Sequence, residues 1–147
     1  MSRSLEEIVA GLGALAADDF DYNNVAMRGP ERLDAICSDV LKLPVPSAAF
    51  PELFRFVERL SECDLGTPGP LVHTMEEYIG SYEDSLAASI HRKPTALTIW
   101  MVNRILNGPT AEKHKWMRLL SVAAEHPAAP EPARKEALRL ITFQHSK

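Results

Sequence analysis

The chain has 147 residues, of which 46% are hydrophobic and 24% charged, the proportions of an ordinary globular protein with its own core. Two cysteines exclude a disulfide framework, and the longest apolar run, residues 8–17, is too short to cross a bilayer. The net charge of −4 is uneven, because residues 1–93 carry 16 acids against 8 Lys and Arg whereas residues 94–147 carry 4 acids against 8. The acidic first two-thirds disfavours nucleic acid as a partner and favours a basic protein.

The first predicted helix covers residues 4–17. Ser4 and Glu7 form a capping-box pattern at its start. Five apolar residues share one helical face: Leu5, Ile8, Val9, Leu12 and Leu15. The acidic pair Glu6 and Glu7 before the apolar run argues against a signal peptide, in which that region is basic. We therefore expect a cytoplasmic protein whose domain begins with this helix.

An acidic stretch follows at residues 18–29. Three oxygen-bearing side chains stand at the first, third and fifth positions of a calcium-binding loop pattern: Asp19, Asp21 and Asn23. The pattern then fails, because Asn24 replaces the glycine of the sixth position and Pro30 replaces the glutamate of the twelfth. The stretch is therefore predicted to be a solvated loop, with Phe20 and Tyr22 either tucked into the core or offered to a partner.

Three further helices are predicted between residues 30 and 80. The second covers residues 30–41 and ends before a proline-containing break. The third carries an apolar stripe: Phe50, Leu53, Phe54, Val57 and Leu60. The fourth begins in the segment Thr67-Pro68-Gly69-Pro70 and is stopped by Gly80. Its predicted inner face consists of Leu71, Val72, Met75, Tyr78 and Ile79.

The last four predicted helices begin with residues 82–91 and 96–107. The sixth helix is apolar on most sides, which is typical of a central helix, and Gly108 ends it. The seventh is marked by Trp116, Leu119, Leu120 and Ala123. The eighth follows a proline-rich joint and is marked by Ala137, Leu138, Leu140 and Ile141.

Helix signals recur over the whole chain and strand signals do not, so we predict an all-α fold with a single helical domain over residues 1–147. About eight short helices with tight joints form either an irregular bundle or a small HEAT-like stack of helical hairpins. Alternate helices lie about 30–40 residues apart, which fits a hairpin rhythm, although no residue-by-residue repeat is visible.

No catalytic arrangement is visible in the sequence. A nucleophile elbow, a phosphate-binding glycine loop and a Cys/His pair in a polar setting are all missing, so we predict neither an enzyme nor a cofactor. Cys37 lies on an apolar stripe and is predicted to be buried. Cys63 stands between Glu62 and Asp64, whose charge raises the pKa of a thiol. Neither cysteine has the surroundings of a reactive thiol.

The fourth predicted helix carries polar residues on its outer face. His73, Glu76 and Glu77 have a spacing that suits a metal, but a metal site needs further ligands from another helix, so none is predicted. Glu83 and Asp84 follow at the start of the next helix. The four acids would form one acidic patch across two neighbouring helices.

The stretch over residues 66–108 resembles the central block of small bacterial immunity proteins that accompany polymorphic or contact-dependent toxins. Three strings carry the resemblance. They are a Gly-x-Pro-Gly-Pro-Leu-Val-His opening at residues 66–73, a Tyr-rich acidic pair of helices at residues 78–84, and an Arg-Lys-Pro-Thr…Trp-Met-x-Asn-Arg-Ile segment at residues 92–105. Most of these residues are of structural kinds, namely caps, joints and core, so no toxin-contacting residue is transferred from the family.

The resemblance implies a cytoplasmic protein that binds one cognate toxin domain and blocks its action. A basic nuclease domain would be complementary in charge, because an acidic inhibitor gains association rate and specificity from opposite charge. Nine residues are therefore expected on the contact surface: Asp18, Asp19, Asp21, Tyr22, Glu76, Glu77, Tyr82, Glu83 and Asp84. The two tyrosines are the expected aromatic anchors.

Two other functions remain open on sequence grounds. A helical scaffold or adaptor would bind an extended peptide along a groove, as solenoid repeats do. A small helical enzyme would need a pocket with convergent polar groups, for which Asn103 and Arg104 on the sixth helix are the available residues.

Overall fold

The computed structural model describes residues 3–66 and 69–147, and within them it contains eight α-helices, two short 3₁₀ helices and no strand. The prediction of an all-α fold with about eight helices is confirmed. The chain divides into two compact units, residues 1–85 (the first unit) and residues 86–147 (the second unit). The single domain over residues 1–147 stays a prediction.

The first unit is built from four helices and the start of a fifth. These are α1 (Leu5–Ala14), α2 (Gly29–Leu41), α3 (Phe50–Arg59), α4 (Gly69–Glu76) and the first residues of α5 (Glu83–Arg92). Two 3₁₀ helices, Ala17–Phe20 and Pro46–Ala49, lie in the connections. Helix α2 packs against α1 and α4, and α1 also packs against α3. Their shared interior contains fully buried residues such as Ile8, Leu33, Phe50, Phe54 and Met75.

The start of α1 is as predicted, and its end is three residues earlier. The Ser4 hydroxyl accepts a hydrogen bond from the Glu7 N–H (3.2 Å), and the Glu7 carboxylate accepts one from the Ser4 N–H (3.1 Å). The helix ends at Ala14 because Leu15 is extended, and the Arg59 guanidinium donates to the carbonyls of Leu12 (2.9 Å) and Leu15 (2.8 Å). The bond to Leu15 satisfies a carbonyl just past the end of the helix, and the Leu12 carbonyl also accepts from the Leu15 N–H at 3.1 Å. Val9, predicted on the inner face, is exposed.

The fourth helix ends earlier than predicted. Its expected first residues, Thr67 and Pro68, lie outside the described residues, and the helix ends at Glu76. Tyr78 still faces inward, with its ring 6.1 Å from that of Phe50. Ile79 does not, because the chain has left the helix and turned at Gly80, whose φ is +101°. The placement of Ile79 on the inner face was wrong.

The second unit contains the rest of α5 together with α6 (Ala96–Asn107), α7 (Lys113–Glu125) and α8 (Glu131–His145). Helix α6 contacts both α7 and α8, which also pack against each other. Thr95 caps α6, because its hydroxyl accepts a hydrogen bond from the Thr98 N–H at 3.1 Å. Leu138 was predicted to mark the apolar face of α8 but is exposed, whereas Ala137 and Leu140 are buried.

No helix in the described part of the chain is both long and apolar enough to cross a membrane.

Candidate functional site

All nine residues expected on the contact surface lie in the first unit, in two separate places. One is the acidic loop (residues 18–29), between α1 and α2. The other is the acidic corner (residues 76–84), which runs from the end of α4 to the start of α5. Glu76 ends α4 and Glu83 begins α5, so the carboxylates of the corner flank one turn.

The acidic loop is attached to the core through Phe20. Its ring is buried and meets the ring of Phe56 edge to face, with 6.2 Å between the centroids. At the other end of the loop, Gly29 passes so close to Phe20 and Asp19 that there is no room for a side chain. The loop therefore has a definite shape, and of its two aromatic residues Phe20 is the one that enters the core.

The three aspartates of the loop have different roles. The Asp19 carboxylate accepts a hydrogen bond from the Ala16 N–H (2.8 Å) and so caps the 3₁₀ helix Ala17–Phe20 at the start of the loop. Asp21 accepts from the Asn23 N–H (2.9 Å), which closes a local turn. The Asp18 carboxylate is exposed, while its backbone carbonyl accepts from the Asn24 amide (2.9 Å). Asp18 and Asp21 present their charge to solvent, and Asp19 is half-buried.

Tyr22 is on the surface, as expected of a residue that is offered to a partner. Its side chain is 72% exposed, and its hydroxyl donates to the Asp64 carboxylate at 3.3 Å. Asp64 also accepts from the Gly66 N–H at 3.0 Å, so it is itself held in place. Val25, for which the sequence predicts no role, is fully exposed on the same loop.

Glu83 organises the acidic corner. The Gly80 N–H donates to both carboxylate oxygens of Glu83 (2.9 Å each), and the Tyr82 N–H donates to one of them (3.1 Å). Glu83 therefore holds the turn, and its charge is partly used within the chain. Glu77 and Asp84 are exposed, and Glu76 is half-buried.

Tyr82 requires a correction. It was expected as an aromatic anchor on the contact surface, but its side chain is only 3% exposed. The turn held by Glu83 leaves Ile79 outside, with 78% of its side chain exposed, and places Tyr82 inside. The outward apolar residue of the corner is thus Ile79, which a helical spacing extended past Glu76 had assigned to the core.

Four carboxylates of these two places have no cationic partner. Among the described residues, no Lys, Arg or His forms an ion pair with Asp18, Asp21, Glu77 or Asp84. Elsewhere in the first unit Asp39 forms an ion pair with Arg3 at 2.9 Å, whereas Glu6, Glu31 and Asp34 form none with a described residue. The acidic loop and corner thus leave negative charge that the chain itself does not balance.

Neither the calcium-loop-like stretch that starts at Asp19 nor the set His73, Glu76 and Glu77 forms a metal site in the described part of the chain. Within residues 3–66 and 69–147, no group of three or more His, Cys, Asp or Glu side chains is arranged to hold a metal ion. In the acidic loop, the carboxylates of Asp19 and Asp21 accept hydrogen bonds from backbone N–H groups, so Asp19 caps the 3₁₀ helix and Asp21 closes a turn.

The polar edge of α6 is joined to the end of α8. The Gln144 amide donates to the side-chain oxygens of Asn103 (2.6 Å) and Asn107 (3.0 Å), and Lys147 also donates to Asn107. The Arg104 guanidinium lies over the Trp100 ring, 4.8 Å from its centroid. These contacts account for the polar residues of α6 by packing within the second unit.

Both cysteines have thiols that are harder to ionise than usual. Burial raises the pKa of Cys37 to about 12, while a hydrogen bond with Thr74 opposes the rise. The pKa of Cys63 is raised first by burial and then by the charge of Glu62. The predicted burial of Cys37 and the predicted direction at Cys63 are both confirmed, although burial contributes more at Cys63 than the neighbouring acid.

We expect Cys37 to make the protein less stable at alkaline pH. The native thiol keeps its proton up to a pKa of about 12, whereas the usual value is 9.0, so between these values the unfolded chain binds fewer protons. The free energy of unfolding then falls by up to about 1.4 kcal/mol per pH unit above pH 9. Urea unfolding as a function of pH should show a shallower alkaline decline in Cys37→Ala. Cys63→Ala is the control. The prediction is contradicted if the free energy of unfolding declines equally steeply with pH in Cys37→Ala and in the unsubstituted chain.

Comparison with known proteins finds no family model, no curated sequence and no solved structure that matches this chain.

Proposed function

We propose that this protein is a cytoplasmic immunity protein that binds a cognate bacterial toxin domain through the acidic surface of its first unit. The observation that carries the proposal is the set of exposed carboxylates without cationic partners in the acidic loop and the acidic corner. The resemblance of residues 66–108 to immunity proteins supplies the class of partner.

Charge supports a basic partner. Residues 1–85 carry 16 acids against 6 Lys and Arg, a net of −10. A surface of one sign accelerates encounter with a partner of the opposite sign and disfavours others. A nuclease domain, whose substrate-binding surface must attract phosphate, is a partner with the required positive charge.

The shape of the acidic loop supports a binding role in a second way. Phe20 in the core and the hydrogen bond from Tyr22 to Asp64 hold the loop in one arrangement before any partner arrives. A surface that is ordered in advance loses less conformational entropy on binding. Inhibition by covering the active site of a toxin requires this kind of surface and no catalytic residue.

Co-expression with the toxin domain encoded next to this chain tests the proposal. Cells should survive toxin expression only when this protein is present, and the two purified proteins should form a stable one-to-one complex. Toxicity that persists at full expression of the folded protein, together with no detectable complex, would rule out the immunity function.

A charge-reversal experiment locates the surface. Glu77→Lys with Asp84→Lys should slow association with that toxin domain about tenfold or more at low salt, because both acids are exposed and steer a basic partner. Glu83 is left unchanged because it holds the turn. The rate is measured by stopped-flow mixing or surface plasmon resonance.

The matched control is Glu6→Lys with Asp34→Lys. It changes the net charge equally, it also uses exposed acids of the first unit, and Glu6 occupies a first helical turn as Asp84 does. If both double variants associate at the same rate, the acidic corner is not the binding surface, even when the toxin is still neutralised.

A further inference from the structure

The acidic corner exposes one large apolar side chain, that of Ile79. It is 78% exposed and lies in the turn between Glu77 and Gly80, directly after α4. The exposed acids Glu77 and Asp84 lie before and after it in the chain. A single exposed apolar residue is ordinary on a protein surface, and Ile79 differs in how firmly its turn is held.

The turn that carries Ile79 is fixed on both sides. Before it, the Tyr78 ring packs edge to face on Phe50. After it, Gly80 adopts φ +101°, a conformation that side-chain-bearing residues rarely adopt, and its N–H is bound by Glu83. Tyr82 then returns to the interior. Ile79 is therefore held outward by its neighbours, and the side chain is presented without any rearrangement of the chain.

An apolar residue held outward among acids has the arrangement of an interface anchor. Binding energy at protein interfaces concentrates in a few apolar residues that become fully desolvated, while charged residues around them exclude water and set specificity. Of the three large apolar or aromatic side chains at this corner, Tyr78 packs on Phe50 and Tyr82 is buried, which leaves Ile79.

We propose that Ile79 is the apolar anchor of the acidic corner and inserts into an apolar cleft of the toxin domain that is bordered by Lys or Arg. This inference rests on the proposed function. The charge of the corner indicates which kind of cleft binds it. Glu77 and Asp84 have no cationic partner among the described residues, and a cleft bordered by Lys or Arg would supply one to each.

The test compares Ile79→Ser with Val45→Ser in the binding of the toxin domain used for co-expression. Val45 is a control because it is also a β-branched side chain of the first unit, 60% exposed, and lies outside both acidic places. Ile79→Ser should raise the Kd about tenfold or more, mainly through faster dissociation, and Val45→Ser should leave it unchanged. Circular dichroism and thermal unfolding of the free variants verify that both remain folded.

Different outcomes identify different failures. If the unsubstituted chain neither protects cells nor binds the toxin domain, the proposed function fails and the anchor fails with it. If the unsubstituted chain binds and Ile79→Ser binds equally well, only the anchor is overturned. Self-association of the unsubstituted chain in analytical ultracentrifugation that is lost in Ile79→Ser would assign this residue to a second copy of the chain and would also overturn the proposal.

Discussion

Replacing Trp116 with alanine is expected to lower the free energy of unfolding by about 3–5 kcal/mol, the range for removing a large buried aromatic side chain. Trp116 lies in α7 and is only 1% exposed, and no larger side chain is fully buried in the described residues. The Lys115 ammonium lies 5.0 Å from the centroid of the ring, so the substitution also removes a cation–π contact. Urea unfolding followed by far-ultraviolet circular dichroism measures the loss.

Trp100→Ala provides the matched control for Trp116→Ala. Trp100 is the only other tryptophan, it belongs to α6 of the same unit, and it is only half-buried. Trp100→Ala should lower the free energy of unfolding clearly less than Trp116→Ala does, because part of the Trp100 ring already contacts water. The Trp100→Ala variant also leaves Trp116 as a single fluorescent reporter of the second unit. Equal losses in the two variants would contradict the assignment of Trp116 to the core.

Gly29→Ala is expected to destabilise the protein by about 1–3 kcal/mol, in spite of the higher helix propensity of alanine. Gly29 is the first residue of α2, and a Cβ added there would collide with the Asp19 carbonyl oxygen and lie 2.8 Å from the Phe20 ring. The backbone carbonyl cannot move away as a flexible side chain would. Either α2 or the acidic loop must shift, and Phe20 then packs less well on Phe56.

Gly13→Ala separates this collision from the general effect of replacing glycine. Gly13 lies in α1, and a Cβ at this position meets nothing within 4 Å. The control should therefore gain about 0.5–1 kcal/mol, because alanine loses less backbone entropy in a helix. Equilibrium urea unfolding measures both changes, and hydrogen exchange of the amides in residues 18–29 reports whether the acidic loop loosens in Gly29→Ala. A Gly29→Ala variant that is as stable as Gly13→Ala would refute the close approach.

Local signals in the sequence predicted where several helices begin or end and which face of α3 is buried. Ser4 and Glu7 cap α1 through side chains three residues apart, so the contact forms whenever the segment is helical. Gly108 follows the last residue of α6, as the glycine stop predicted. Apolar residues repeated at helical spacing also predicted the buried face of α3, which includes Phe50, Leu53 and Phe54.

Which residues of the candidate surface face outward was decided by tertiary contacts. Phe20 and Tyr22 are both aromatic residues of the acidic loop, and only the presence of Phe56 on another helix shows that Phe20 is the buried one. Ile79 is outside because α4 stops at Glu76, and Tyr82 is inside because the turn after α4 returns the chain to the core. Helical spacing no longer places residues once the helix has ended, so the prediction failed at Ile79 although Tyr78 still packs on Phe50.

The sequence by itself therefore determined the all-α class, the bounds of α2, α5 and α6 to within one residue and the excess of acid in the first unit, because caps, periodicity and charge depend on residues close together in the chain. The tertiary structure decided which side chains of the candidate surface remain available. Phe20 and Tyr22 lie two residues apart, yet Phe20 packs on Phe56 of α3 while Tyr22 remains in solvent. That difference depends on a contact between residues far apart in the chain, which composition and spacing do not contain.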